Sequence, residues 1–342
     1  MLALRTTQAY TLAAVILFTG LALPAHAQIF PNFQNTLTLS TSPRTPGPQE
    51  EVLVSVQSFS INIDTAAIAW FINGSLIQEG VGNKSFRFTT GRIGSTSKID
   101  IVAETPDGTV HNETLTIRPT EVSIIWQAQS ETHPFYLGKT LPAIGGELRI
   151  QALPEFVNDS GRKLGKGELV YTWRVDGKLD QARSGNGRDS ITVTQRKPVR
   201  SLPIEITVES PANLLSKTER FFVPIADPLV FVYENSPLLG PLFNKAAGNS
   251  YSFTEQETDL TAYPFYMSLS NRNDKHIVYS WEVGGEKVTL GDDRSSITLN
   301  NAGGSSGAVN ISVEVNNLRD IFQRASSAFS VAFGTRESGF GF

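Results

Sequence analysis

The chain has 342 residues, 40% of them hydrophobic and 18% charged, with a formal net charge of −4. That balance describes a globular chain with enough apolar side chains for several small cores, and its mild acidity argues against general nucleic-acid binding, which needs a basic footprint. The absence of cysteine excludes disulfides, thiolate zinc sites, a lipoprotein-type thioether anchor and cysteine nucleophiles together.

Residues 1–27 read as an export signal. Arg5 is the only charge before an apolar run from Leu12 to Leu23, and Ala25 and Ala27 offer the small residues a signal peptidase reads, making Gln28 the expected mature N-terminus. The run is shorter than the roughly 20 residues that span a bilayer comfortably, and Pro24 interrupts its end. No second hydrophobic span follows, so the product is expected outside the cytoplasm: secreted, periplasmic or held at the cell surface.

Downstream, one pattern recurs three times. "IAWFING" at 68–74, "YTWRVDG" at 171–177 and "YSWEVGG" at 279–285 hold three of the four tryptophans, spaced by 103 and then 108 residues. Strand alternation puts Tyr171, Trp173 and Val175 on one face and Thr172, Arg174 and Asp176 on the other. The same holds for Ile68, Trp70 and Ile72, and for Tyr279, Trp281 and Val283. Trp70, Trp173 and Trp281 are therefore expected as core pins, each worth about 3–5 kcal/mol against alanine.

The dipeptides that follow, Asn73-Gly74, Asp176-Gly177 and Gly284-Gly285, tolerate the positive φ of a tight two-residue hairpin. A glycine turn and short strand come next in each copy: "GNKSFRF" from Gly82, "GRDSITV" from Gly187 and "GDDRSSITL" from Gly291. Alternating runs close the pattern at "KIDIVAE", "IEITVES" and "NISVEVN". Upstream, "LRIQALPEF" at 148–156 and "LTAYPFY" at 260–266 align Pro154 with Pro264, where a proline suits a strand end. "LVSVQSF" at 53–59 occupies that place in the first copy, without proline.

About seven short strands per hundred residues, with turn signals between them, predict antiparallel sandwiches. The residues resemble bacterial immunoglobulin-like and PKD-like modules, through the Y-x-W strand with its glycine turn and through "GAVNISVEV" at 307–315. Two departures are the missing G-D-G after the tryptophan strand and Val309 where PKD repeats carry tyrosine, so the subtype stays open. The resemblance implies an all-β chain of three tandem domains, at 28–119, 120–226 and 227–335, with a glycine-rich tail at 336–342. Short joins containing "RPTE" and "IADP" predict an elongated, semi-rigid array.

A further repeat sits at the starts of the later two modules. "VSIIWQAQSETHPFYLGKTLP" and "LVFVYENSPLLGPLFN" each carry an apolar strand with an aromatic near its end (Trp126, Tyr233), then proline, two bulky apolar residues and later glycine. These segments resemble a class of exported Ig/PKD-like proteins found beside type IV pilus genes in some ultrasmall bacteria. That resemblance implies other envelope or pilus proteins as partners.

Chemistry is sparsely supplied. His26 leaves with the signal, and His111, His133 and His276 fall in three different modules, where loop or surface roles are expected. Hydrolase, zincin and P-loop motifs are missing. "GDD" at 291–293 and "NRND" at 271–274 offer oxygen ligands for calcium, but such residues more often serve turn backbone. Neither a cofactor nor a metal site is expected, and no enzymatic activity. Phe135, Tyr136, Phe265 and Tyr266, in "HPFY" and "YPFY", form the candidate interface, used between modules or toward a partner.

The expected role is a structural or adhesive element of the envelope or a surface appendage. The alternative is a carbohydrate- or ligand-binding module, which requires exposed rings such as Trp126, Tyr136 and Tyr266 in a row. A hydrolase would have to draw on scattered carboxylates such as Glu155 and Asp159.

Overall fold

The computed structural model describes residues 37–211, 215–269 and 271–334; the signal segment and the tail named above lie outside these. The described residues form strands β1 to β24 and a 3-10 turn at Lys166–Glu168, with no α-helix among them. The chain is a tandem series of β-sandwiches.

The first sandwich contains β1 (Thr38–Ser42), β2 (Glu51–Gln57), β3 (Ala67–Ile72), β4 (Ser75–Val81), β5 (Ser85–Thr89), β6 (Ser97–Glu104) and β7 (Val110–Ile117). Its two sheets have the orders β1-β2-β5 and β4-β3-β6-β7. The second contains β8 (Glu121–Ala128), β9 (Glu147–Glu155), β10 (Val170–Val175), β11 (Lys178–Leu179), β12 (Gly185–Asn186), β13 (Ser190–Thr194), β14 (Ser201–Glu209) and β15 (Ser216–Pro224). Here the orders are β13-β9-β8 and β11-β10-β14-β15, with β12 also on β10.

The third contains β16 (Leu229–Ser236), β17 (Gly240–Ala247), β18 (Ser250–Phe253), β19 (Glu257–Phe265), β20 (Ile277–Val283), β21 (Glu286–Lys287), β22 (Ser296–Asn300), β23 (Gly307–Asn317) and β24 (Arg324–Phe333). Its sheets are β17-β16-β19-β22 and β18-β24-β23-β20-β21.

The tryptophan strands β3, β10 and β20 sit in equivalent places. Trp70, Trp173 and Trp281 are 0%, 0% and 1% exposed and lie opposite Ile101, Ile206 and Val313. Each belongs to a separate apolar cluster, so three cores form. Two of the indoles also find an acceptor: Trp70 Nε1 donates to the Asn83 carbonyl and Trp173 Nε1 to the Arg188 carbonyl, both at 2.8 Å.

The hairpins after these strands close through two residues, with φ of 49° and 81° at Asn73 and Gly74, 52° and 73° at Asp176 and Gly177, and 61° and 87° at Gly284 and Gly285. Both central positions of such a turn require φ above zero, which asparagine, aspartate and glycine reach at low cost.

Pro154 pairs with Val122 on β8, while β13 on the other flank reaches only Gln151. Pro264 likewise pairs with Val230, while β22 stops at Thr261. The neighbouring strand has ended, so no ladder bond is lost to the missing N–H.

One pairing departs from the antiparallel expectation. β18 runs parallel to β24, from Ser250 opposite Ser330 to Phe253 opposite Phe333. After β17 the chain crosses to the opposite sheet, where Tyr251 and Phe253 enter the core and Ser250 and Ser252 face out.

Candidate functional site

In most of these strands one face is apolar. In β16 and β19 both are. Val230, Val232, Leu260 and Ala262 point into the third core, and the opposite register carries Phe231, Tyr233, Tyr263 and Phe265. A sheet apolar on both faces must be covered on both.

The second cover comes from two sources. Phe243 of β17 packs against Tyr233 and Tyr263, with ring centroids 5.1 and 5.2 Å away. The loop at 129–146, which joins β8 to β9 in the preceding module, supplies the rest. Its Leu141 and Ala143 join the same cluster as Tyr233, Tyr263, Phe265 and Tyr266. His133 stands edge-on to Phe231 at 5.3 Å and against Phe265 at 5.8 Å, and Tyr136 meets Tyr266 edge-on at 6.3 Å.

Backbone bonds fix the loop in place. Tyr266 N–H donates to the Glu131 carbonyl at 2.8 Å, and Ala226 N–H to the Pro142 carbonyl at 2.9 Å. Tyr266 has φ of 59°, a left-handed conformation that an aromatic residue adopts only where its surroundings hold it.

A buried polar network completes the joint. Gln323, 1% exposed, lies just before β24. Its Nε2 donates to the Ile144 carbonyl at 3.0 Å and to Ser268 Oγ at 3.1 Å, while Oε1 accepts from Ser268 N–H at 2.7 Å and from Asn317 Nδ2 at 2.8 Å. All four hydrogen-bonding positions of this amide are used, the condition under which a buried polar group fixes geometry instead of weakening a core.

Burial pushes the Tyr263 phenol upward, against an opposing pull from Arg272, whose guanidinium lies 4.3 Å over that ring. Tyr266 is raised by burial and then by Tyr136. Both phenols stay neutral across the physiological range and present apolar bodies to the joint.

The join between the first two modules is built differently. Thr120 N–H donates to the Pro46 carbonyl at 3.2 Å, Lys217 Nζ to the Thr45 carbonyl at 3.1 Å, and Arg118 pairs with Asp159 at 2.7 Å. The β1–β2 loop at 43–50 contains no aromatic residue.

Phe265 and Tyr266 are 2% and 8% exposed, Tyr136 is 38% exposed, and Phe135 is 62% exposed and touches the His133 ring. His133, expected as a loop or surface residue, instead inserts among aromatic rings because its partners lie more than ninety residues downstream. Sequence reasoning places none of Phe231, Tyr233, Tyr263 and Gln323 in the candidate interface. The unbroken apolar runs "LVFVY" at 229–233 and "AYPFY" at 262–266 were the available signal for the rings; nothing local marks Gln323.

Trp126 is half-buried, with Lys139 Nζ 5.1 Å over its ring. Glu155 pairs with Lys163 at 2.9 Å and Asp159 with Arg118. Asp293 accepts from Ser295 and Ser296, and Asp274 from His276, so both serve their own turns. Burial works against the Asp293 charge, yet those hydrogen bonds and Arg272 hold its carboxyl below the usual range. Among the described residues, no three His, Cys, Asp or Glu side chains gather as a metal site.

No family model matches the chain, and no curated protein does. Among solved structures it is similar to fibronectin(III)-like modules of Clostridium thermocellum CbhA (10% identity, 55% of this chain and 94% of that one, TM-score 0.28). It is also similar to three N-terminal domains of the bacteriophage RB49 outer capsid protein Hoc (10% identity, 88% and 99% covered, TM-score 0.27). A third likeness is to the Bacteroides ovatus glucan-locus protein SGBP-B, solved with a mixed-linkage heptasaccharide (13% identity, 90% and 69% covered, TM-score 0.22). At such TM-scores none of these carries an argument about partner or activity.

Proposed function

We propose that this chain is an exported, non-enzymatic spacer of the cell envelope or a surface appendage, whose work is to hold modules in a fixed line and present its ends to other envelope proteins. The observation that carries the reading is the aromatic joint, which commits the outer sheet face of one sandwich to gripping the loop of its neighbour. A catalyst or receptor would aim such rings and polar groups at a cleft; here they face the next module. The expected signal at 1–27 supports export, and the "HPFY" and "SPLLG" repeats support pilus proteins as the partner class.

A carbohydrate-binding reading needs rings open to solvent in a row, whereas Tyr266 is buried and Trp126 is half-covered by Lys139. Small-angle scattering tests the spacer reading. β23, the longest strand at 11 residues, spans about 36 Å at ~3.3 Å per residue, so three modules in line extend roughly 110 Å, with a radius of gyration of about 30 Å. A radius of about 20 Å, the value for a compact chain of this size, refutes it.

A further inference from the structure

We infer that the chain bends at one place: the second and third modules move as a single body, and the first is carried on a hinge that charged side chains latch in dilute salt and release in concentrated salt. The inference rests on the spacer reading above, to which it adds one articulation.

The two joins differ in what opening them exposes. At the second, Leu141 and Ala143 of one module share an apolar cluster with Tyr233, Tyr263, Phe265 and Tyr266 of the next. Separating them wets those rings, a cost that the screening of charge does not reduce. At the first, no apolar cluster spans the join among the described residues: the first core ends at Ile117 and the second begins at Val122. Val157 of the second module faces Gly94 of the first, which has no side chain to meet it.

The linker at the first join is Arg118-Pro119-Thr120, between the end of β7 and the start of β8. Thr120 Oγ1 donates to the Ser216 carbonyl at 3.2 Å, tying the far end of the linker to the second module. Proline fixes its own φ and keeps the residue before it extended, so bending is a swing about few bonds. Proline also has no N–H to lose in that swing.

Two cations close the hinge, Arg118 on the Asp159 carboxylate and Lys217 on the Thr45 carbonyl. The Asp159 side chain is 69% exposed, which places the pair at the rim, where ion pairs are weak and salt screens them. Latching carries a cost of its own, because Arg118 Nε is then buried with no acceptor among the described residues. Opening returns that N–H to water, while Lys217 keeps Glu219 of its own module at 3.6 Å. Neither cation is left buried and unpaired, the outcome that makes breaking an ion pair expensive. Open and closed arrangements therefore lie close in free energy, and the charges decide between them.

Double electron–electron resonance between spin labels tests this. The chain has no cysteine, so labels attach only where cysteine is introduced, at the exposed Asn112, Thr192 and Ser280, one in each module. Asn112→Cys with Thr192→Cys reads the first join, and Thr192→Cys with Ser280→Cys the second. In dilute salt both distance distributions are expected to be narrow. In about 1 M salt, where the screening length falls to about 3 Å, the first should lose its narrow peak and the second keep it. Arg118→Gln with Lys217→Gln should remove the same peak in dilute salt. A first distribution that is already broad in the parent, one that stays narrow in either the salt or the variant, or a second that broadens alongside it overturns the inference. The spacer reading survives each of these results and falls only to a compact scattering profile.

Discussion

Replacing the core tryptophans by phenylalanine separates packing from hydrogen bonding. Trp173→Phe and Trp281→Phe remove the same ring atoms from equally buried sites, 0% and 1% exposed, so the packing loss, about 1–3 kcal/mol, is common to both. The indole N–H groups differ. Trp173 Nε1 donates to the Arg188 carbonyl at 2.8 Å, whereas Trp281 Nε1 is buried with no acceptor among the described residues. Trp173→Phe leaves a carbonyl short of its bond and adds about 1 kcal/mol; Trp281→Phe removes an unsatisfied donor and returns about the same. The first variant should therefore cost roughly 2 kcal/mol more than the second, and Trp70→Phe should behave like the first. Amide hydrogen exchange read by mass spectrometry, peptide by peptide, gives the opening free energy of β10 and β20 separately. Equal costs at the two positions would show that the Trp281 indole is satisfied and refute the reasoning.

Gln323→Leu fills the same space but leaves the Ile144 carbonyl and Ser268 N–H without a partner and takes from Asn317 Nδ2 one of its two acceptors, the Ser268 carbonyl remaining as the other. It should destabilise the joint by about 2–4 kcal/mol and speed exchange in 129–146 while leaving the first module unchanged; unchanged exchange in that loop would refute the network's role. Glu168 is held down to about 2 by the two-pronged Arg162 guanidinium and then by Gly165 N–H. Because its folded value lies below the ordinary one of about 4.3, its contribution to stability is complete above that value and is lost as pH falls through about 2. A carboxyl-carbon NMR titration should place its midpoint near 2, rising toward the ordinary value of about 4.3 in Arg162→Gln while Gly165 N–H still holds it below; a parent midpoint already at the ordinary value would refute the pairing.

The parts of this fold that rest on local rules are readable from sequence. Two-residue alternation sets the register of Trp70, Trp173 and Trp281, and the need for positive φ singles out Asn73-Gly74 and its two counterparts. Proline's missing N–H marks 154 and 264 as places where a flanking strand has ended. Long-range choices are not readable in this way. Tyr251 and Phe253 alternate as they would in any strand, so nothing nearby reveals that β18 pairs parallel to β24, some eighty residues on. His133 has a loop-like neighbourhood, and only the distant Phe231 and Phe265 make it a packing residue. At the joint, the continuous apolar character of "LTAYPFY" signals burial on both sides, but it names no occupant. The Gln323 network depends on three separate segments converging and leaves no trace in any one of them.

The β18–β24 pairing also bears on how the third sandwich would meet a mechanical load. In the first two modules the opening strand is paired only to its sequence neighbour, β1 to β2 and β8 to β9, so tension drawn through the polypeptide can peel that strand away one bond after another. In the third, a strand near the module's beginning lies alongside its final strand with the same polarity. Once β16 and β17 have given way, pulling the two termini apart slides β18 lengthwise along β24, and their cross-links must rupture together. Among the described strands, the last third alone carries a pairing that end-to-end tension would load in shear.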